Sequence, residues 1–192
     1  MNQSVFQYKE NYYGTVLLNP TTLANIATDL DTWNEICAFH SLLVTDKYVE
    51  YLNEFYRESI ERYGKNWFYM DIVNTLFAAS KTIRPRSYLE IGVRRGRSLC
   101  SVVRGCPTVN VLACDIWVEN YAGMENPGPK YVLSELKKHG FEGKIQFMNG
   151  NSHETLPKFF ETHPDAQFDL ITVDGDHSAQ GAYDDLCTVI PH

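Results

Sequence analysis

The feature that most restricts the fold is an alternation of apolar runs and amphipathic segments after Pro85. Four runs have the length and character of buried strands: SYLEIG, VNVLACD, KIQFMNG and FDLITVDGD. Each precedes a segment with helical periodicity: RSLCSVVRG, PKYVLSELKKHG, HETLPKFFETH and SAQGAYDDLCTVI. Such alternation is typical of βαβ units and predicts an α/β fold with a mostly parallel sheet and flanking helices.

The residues before this region have a different pattern. Residues 20–43, 46–64 and 66–83 carry apolar positions at three- and four-residue spacing, which predicts three helices. Gly64 would end the second helix, and Arg84-Pro85 the third. We predict a helical N-terminal region, residues 1–65, that acts as a lid or in oligomerisation, and a Rossmann-like domain at residues 66–192.

Charge and composition narrow the class of protein. The 192 residues carry a formal net charge of −7, which argues against nucleic acid or an anionic membrane as partner. We find neither the basic and apolar start of a signal peptide nor an apolar run long enough for a membrane span. The predicted location is cytoplasmic.

Three acidic residues fall at the carboxyl ends of predicted strands: Glu90, Asp115 and Asp174. Because right-handed crossovers bring these ends to one edge of a parallel sheet, a ligand site is expected there. The loop YLEIGVRRGRS follows the first strand, with Gly92 and Gly96 as its hinges. Glu90 would repel a pyrophosphate but attract the sulfonium and ammonium groups of S-adenosylmethionine.

The ends of the second and third strands extend this site. Asp115 stands where an acidic residue takes both ribose hydroxyls, a position that NAD sites share. The third strand leads into Asn151, Ser152 and His153, whose polar groups can meet an adenine edge. Ser152 has a second interpretation of equal weight, as the N-cap of the next helix.

Two motifs carry a family resemblance. LEIGVRRGRS resembles the first motif of class I S-adenosylmethionine-dependent methyltransferases, and FDLITVDGDHSAQGAYDDL resembles the D-G-D-H signature of macrocin-type sugar and cephalosporin-biosynthesis O-methyltransferases. The likeness covers residues 66–192. The cofactor-binding residues implied by the motifs, together with the strand ends, are Glu90, Gly92, Gly96, Ser98, Asp115, Asn151, Ser152, His153 and Asp174.

The resemblance also implies catalytic roles. Asp174 would be a Mg²⁺ ligand and His177 the general base. Asp176 would either orient the imidazole or face the cofactor and substrate. Methyl transfer to a hydroxyl requires removal of its proton, which a bound Mg²⁺ and an imidazole both assist. For Asp184 and Asp185 we favour a solvated helix face.

The C-terminus departs from the family pattern. The family sheet continues with three further strands, and its other metal carboxylates follow strand five, whereas this chain stops at His192. The domain is therefore expected to be C-terminally incomplete, with strand four left as an open edge. Self-association through that edge or through the N-terminal helices is expected.

The three arginines of the glycine loop, Arg94, Arg95 and Arg97, have two interpretations: an exposed turn, or a clamp on an acidic or phosphorylated substrate. The leading function is an O-methyltransferase that acts on a small-molecule hydroxyl of a sugar or natural product. The alternatives are a non-catalytic methyltransferase-like module and a nucleotide- or NAD-binding enzyme.

Overall fold

A computed structural model describes residues 18–120, 123 and 125–192. Residues 1–17 of the N-terminal region, and residues 121, 122 and 124 of the loop that follows the second strand, lie outside this part. The helices are α1 (Pro20–Ala27), α2 (Leu30–His40), α3 (Lys47–Tyr63), α4 (Ile72–Ile83), α5 (Arg97–Gly105), α6 (Pro129–Lys138), α7 (Ser152–Thr162) and α8 (Ala179–Val189). The strands are β1 (Ser87–Ile91), β2 (Asn110–Asp115), β3 (Ile145–Asn149) and β4 (Leu170–Val173).

The four strands form one parallel sheet in the order β3-β2-β1-β4. Ile91 lies opposite Cys114 of β2 and Val173 of β4, so the carboxyl ends are nearly level. This arrangement confirms the predicted α/β, Rossmann-like fold. The level ends bring the loops after β1, β2 and β4 to a common edge, which is where the candidate site forms.

Helices cover both faces of the sheet because its strands alternate their side chains between two apolar cores. On one face Tyr88 and Val111 pack with Val102 of α5 and Leu136 of α6. On the other face Leu89, Ile91, Leu112 and Cys114 pack with residues of α7 and α8, including Leu156, Phe159 and Val189. Every residue of β1 is buried, as expected for the centre of a parallel sheet.

Two helix boundaries in the N-terminal region differ from the prediction. Residues 20–43 form two helices, because the Asp29 side chain accepts a hydrogen bond from the backbone N–H of Asp31 and starts α2. The helix predicted from residue 66 begins at Ile72 instead. Asp71 and Asn74 form a capping box there, each side chain accepting a hydrogen bond from the backbone N–H of the other residue.

The N-terminal helices enclose an aromatic core of their own. Trp33, Tyr56 and Trp67 are buried there, and the ring centroids of Trp33 and Trp67 lie 4.4 Å apart. The Tyr56 hydroxyl donates a hydrogen bond to the Asp71 carboxylate, which ties α3 to the start of α4.

Helix α4 crosses α5 at very short range. Gly105 of α5 faces Ser80 and the backbone of Phe77 so closely that a Cβ atom at this position would overlap them. The crossing fixes α5, and with it the loop between β1 and α5, against the preceding helical region.

The last strand has one neighbour in the described part of the chain, since β4 pairs with β1 alone. None of the helices within the described ranges has the length and apolar character needed to cross a membrane.

Candidate functional site

A cavity of about 270 Å³ opens at the carboxyl ends of β1, β2 and β4. Most of the sequence-predicted site residues line it: Gly92, Asp115, Asn151, Ser152, His153, Asp174, Asp176 and His177. Among the described residues that line the cavity, three carry a carboxylate (Asp115, Asp174 and Asp176) and one carries a guanidinium (Arg94). This balance of charge favours a cationic ligand.

Gly92 makes the turn from β1 into the cavity wall. Its φ angle of +92° is one that residues with a side chain rarely adopt, and a Cβ atom at this position would collide with the backbone carbonyl of Asp174. The Gly92 N–H donates to Cys114, and the Asp174 N–H donates to Ile91. A glycine is therefore required at position 92, where the loop after β1 contacts the loop after β4.

Glu90 lies behind the cavity wall rather than in it. The side chain is fully buried, and its carboxylate accepts hydrogen bonds from the hydroxyls of Tyr88 and Ser98. Burial raises the pKa of Glu90 to about 8, although both hydrogen bonds lower it. Glu90 thus positions Ser98 at the start of α5, and direct contact of Glu90 with a cofactor remains a prediction.

Gly96 and Ser98 take different places in this loop. Gly96 starts α5 with a φ angle of +73° and packs against the side chain of Val132. A second, smaller cavity adjoins the first. Ser98 lines the second cavity, whereas Gly96 is not among the described residues that line either cavity. Direct contact of either residue with a cofactor remains a prediction.

Asp115 is held firmly at the end of β2. One carboxylate oxygen accepts the backbone N–H of Arg94 at 2.7 Å, and the other accepts that of Trp117. The Asn126 amide approaches the second oxygen at 3.5 Å. These contacts point the carboxylate into the cavity, which is compatible with its predicted role on a ribose.

The loop after β3 corrects the assignment of the N-cap. Asn151, not Ser152, caps α7, because its side chain accepts the backbone N–H of His153. Ser152 is the first residue of the helix and lines the cavity.

The ring of His153 is anchored to α8. Its Nε2 lies 3.2 Å from the carbonyl oxygen of Gly181 and 3.3 Å from Oδ1 of Asp185. His153 thereby connects the loop after β3 to the helix that follows the D-G-D-H loop.

Asp185 contradicts the predicted solvated face of α8. Its side chain is 1% exposed and faces His153, whereas Asp184 is partly exposed and bonds to Gln180. Gly181, Asp185 and Val189 form a buried stripe at four-residue spacing. That spacing is the sequence signal that could have placed Asp185 inside.

The D-G-D-H loop is the most exposed part of the site. Nε2 of His177 lies 3.8 Å from Oδ1 of Asp174, and the two side chains are 63% and 49% exposed. Asp176 instead accepts the backbone N–H of Ser178, whose hydrogen bonds keep the pKa of the Asp176 carboxyl below its usual range. In this structure the carboxylate that faces the His177 ring belongs to Asp174, although Asp176 was the predicted orienting residue.

The donor set does not fit a magnesium ion. Among the described residues no three His, Cys, Asp or Glu side chains converge as metal ligands would. The side chain that faces Asp174 is the imidazole of His177, and an imidazole is a poor ligand for a hard cation.

Several cavity residues were not identified from the sequence. They are Ile91, Cys114, Ile116, Val118, Asn126, Gly150 and Gly175. Ile91 ends β1 and Cys114 directly precedes the last residue of β2, so their positions at the strand ends alone could have identified them. Asn126 follows a long connection, and no local pattern predicts its approach to Asp115.

Comparison with known proteins agrees with this geometry. A family model described as a methyltransferase domain matches residues 89–192, which is more than half of the chain and extends from the middle of β1 past the end of α8. No curated protein matches the chain. The sheet order, the glycine turn and the strand-end carboxylates all lie in the matched region. The chain therefore belongs to this methyltransferase domain family, as a class I enzyme that uses S-adenosylmethionine.

Proposed function

We propose that the protein methylates a hydroxyl group of a small molecule, such as a sugar or a hydroxylated natural product. The observation that carries this proposal is the His177–Asp174 pair at the mouth of the cavity, with the imidazole 3.8 Å from the carboxylate. A hydroxyl acceptor needs a base to take its proton, and an exposed imidazole is suited to that task.

The cavity offers a place for each part of the methyl donor. S-adenosylmethionine supplies an electrophilic methyl group on a sulfonium. Asp115 is positioned to bind the ribose hydroxyls, and Ser152 and His153 to bind the adenine. The turn at Gly92 lets the backbone approach the methionine part. The acidic lining favours its cationic groups, and this attraction is stronger in a site that excludes water.

The proposed reaction balances without a further reagent. The acceptor oxygen forms a bond to the methyl carbon as the carbon–sulfur bond breaks, and the products are a methyl ether and S-adenosylhomocysteine. The hydroxyl proton passes to the ring nitrogen of His177 that does not face Asp174. The Asp174 carboxylate then stabilises the imidazolium, in the way that a carboxylate supports a catalytic histidine.

Magnesium is left out of this proposal, because the described residues supply Asp174 but not the rest of an oxygen cage. Membership of the macrocin-type subgroup and a cytoplasmic location remain predictions from the sequence.

The test is calorimetry with S-adenosylhomocysteine, NAD and Mg²⁺ in turn, followed by a screen of acceptors for release of S-adenosylhomocysteine. We expect S-adenosylhomocysteine to bind and hydroxyl acceptors to turn over. Tight binding of NAD would support a nucleotide-binding enzyme. Methylation of amines alone would contradict the choice of acceptor, and binding without turnover of any acceptor class would support a non-catalytic module.

A further inference from the structure

A second cavity lies between the N-terminal helices and the glycine loop. Val44, Asp46 and Tyr48 line it from the start of α3, and Arg97 and Tyr131 line it from α5 and α6. It also shares three lining residues with the cavity described above: Gly92, Arg94 and Asp174. The two cavities therefore adjoin at the ends of β1 and β4, where a methyl group would be transferred.

Most charged groups around the second cavity are already paired within the protein. Nε of Arg95 lies 3.0 Å from the Asp46 carboxylate, and Glu125 and the Tyr131 hydroxyl also contact its guanidinium. The Arg95 side chain is only 18% exposed, so the predicted exposed turn is wrong for this residue. Arg95 joins the glycine loop to α3.

Glu135 is paired as well. Its carboxylate accepts the backbone N–H of Val44 at 3.0 Å and forms an ion pair with Lys138. Asp46 and Glu135 therefore have their own cationic or N–H partners. The remaining carboxylate among the described residues of this wall, Asp174, lies at the junction with the first cavity and faces His177.

Arg97 differs from these groups. Within the described ranges no carboxylate lies at ion-pair distance from its guanidinium, and its Nε is buried without a hydrogen-bond acceptor. The guanidinium carbon lies 4.5 Å from the centre of the Tyr48 ring. Stacking on an aromatic face leaves the edge of a guanidinium available for two parallel hydrogen bonds to a carboxylate or phosphate.

We propose that the second cavity, about 80 Å³ in volume, holds the anionic end of the acceptor, and that Arg97, backed by Tyr48, binds this group, a carboxylate or a phosphate monoester. This inference rests on the proposed function, because it places the acceptor beside a methyl donor held in the first cavity. It removes Arg95 from the predicted clamp of three arginines, since Arg95 is neutralised by Asp46, and it assigns the anion contact to Arg97.

The test uses two pairs of probes that differ in charge: 3,4-dihydroxybenzoate with 3,4-dihydroxybenzamide, and glucose 6-phosphate with glucose. Binding to the full chain is measured by calorimetry in saturating S-adenosylhomocysteine. We expect at least one anion to bind ten-fold or more tightly than its neutral partner, and the pair that shows this preference distinguishes carboxylate from phosphate. Equal binding within both pairs, or binding of neither anion, overturns the proposal.

The variants locate the preference. Arg97→Gln is expected to abolish it, whereas Arg104→Gln, which removes the same charge from an exposed position of the same helix, is expected to retain it. Arg97→Lys keeps the charge but not the planar fork, so most of the preference is expected to be lost. If Arg97→Gln does not fold, Arg97→Lys decides. Retention of the full preference in either folded Arg97 variant overturns the assignment.

The same titrations separate this inference from the proposed function. Binding of S-adenosylhomocysteine with no preference for anions contradicts the anion subsite alone. An Arg97-dependent preference that persists when S-adenosylhomocysteine does not bind contradicts the methyl-donor site and leaves the anion site in place.

Discussion

The acidic residues at the strand ends are buried on one side of the cavity and exposed on the other. On the β1–β2 side, Glu90 and Asp115 are 0% and 7% exposed, and each accepts two short hydrogen bonds. On the β4 side, Asp174 and His177 are largely exposed and have one long contact with each other. Acidic residues near the strand ends thus give one side that is fixed before a ligand arrives and one side that is more open to solvent. We expect donor binding to depend on the first side and proton transfer on the second.

The largest effect is expected on the exposed side. His177→Ala should lower turnover by about 10²–10⁴-fold, the usual contribution of general-base catalysis, and leave the affinity for S-adenosylhomocysteine nearly unchanged. Steady-state kinetics with an acceptor found in the screen measures the first quantity, and calorimetry the second. His163→Ala, at the far end of α7, is the control. If His177→Ala turns over at the wild-type rate, the assignment of His177 as the general base is wrong.

The next effect concerns Gly92, where the two sides touch. Gly92→Ala should lower the free energy of unfolding by about 3 kcal/mol and weaken donor binding, because the new Cβ meets the Asp174 carbonyl in a strained backbone. Gly140→Ala is the matched control, since Gly140 has a φ angle of +87° but open space around it. Thermal unfolding that is equal in the two variants would mean that backbone strain, not contact between the loops, accounts for the glycine.

A smaller effect is expected at Asp115. Asp115→Ala should weaken S-adenosylhomocysteine binding by about 1–3 kcal/mol, because the ribose hydroxyls lose a charged partner. The control is Asp184→Ala, whose carboxylate bonds to Gln180 on the same helix. Calorimetry that gives wild-type affinity for Asp115→Ala would show that the ribose is bound elsewhere.

The smallest effect, per pH unit, comes from Glu90. Its pKa in the folded protein is about 8 against an ordinary value of 4.5. Between these values the folded state binds the proton and the unfolded chain does not, so stability falls as pH rises, by up to about 1.4 kcal/mol per pH unit. Glu90→Gln should flatten this fall in denaturant unfolding measured from pH 5 to pH 8. An unchanged slope would show that Glu90 is ionised inside the fold.

The sequence predicted the sheet and its ligand edge, because the period of apolar residues and the strand-end carboxylates are local signals. The sequence did not predict the outcome where two adjacent residues could each take the same structural role. Asn151 and Ser152 are both good N-caps, and only the folded backbone decides between them. Asp71 starts α4 with an Asn at the third helical position, whereas the usual capping box has Glu or Gln there.

Tertiary contacts account for the remaining errors. Arg95 appeared exposed because its partner Asp46 is distant in the chain. Asp185 appeared solvated because a carboxylate is seldom buried, and its partner His153 comes from another loop. The sequence marks the buried face of α8 by the four-residue spacing of Gly181, Asp185 and Val189, but it does not show which residue Asp185 pairs with.

The close crossing of α4 and α5 at Gly105 has a consequence for local unfolding. Because α4 cannot separate from α5 without opening the buried sheet, its amide hydrogens should exchange with solvent as slowly as those of β1. Helices α1 to α3 meet the domain through aromatic side chains and a few polar contacts, such as the Arg95–Asp46 ion pair, and should exchange earlier. The boundary between the two cooperative units should then lie in the extended residues 67–71.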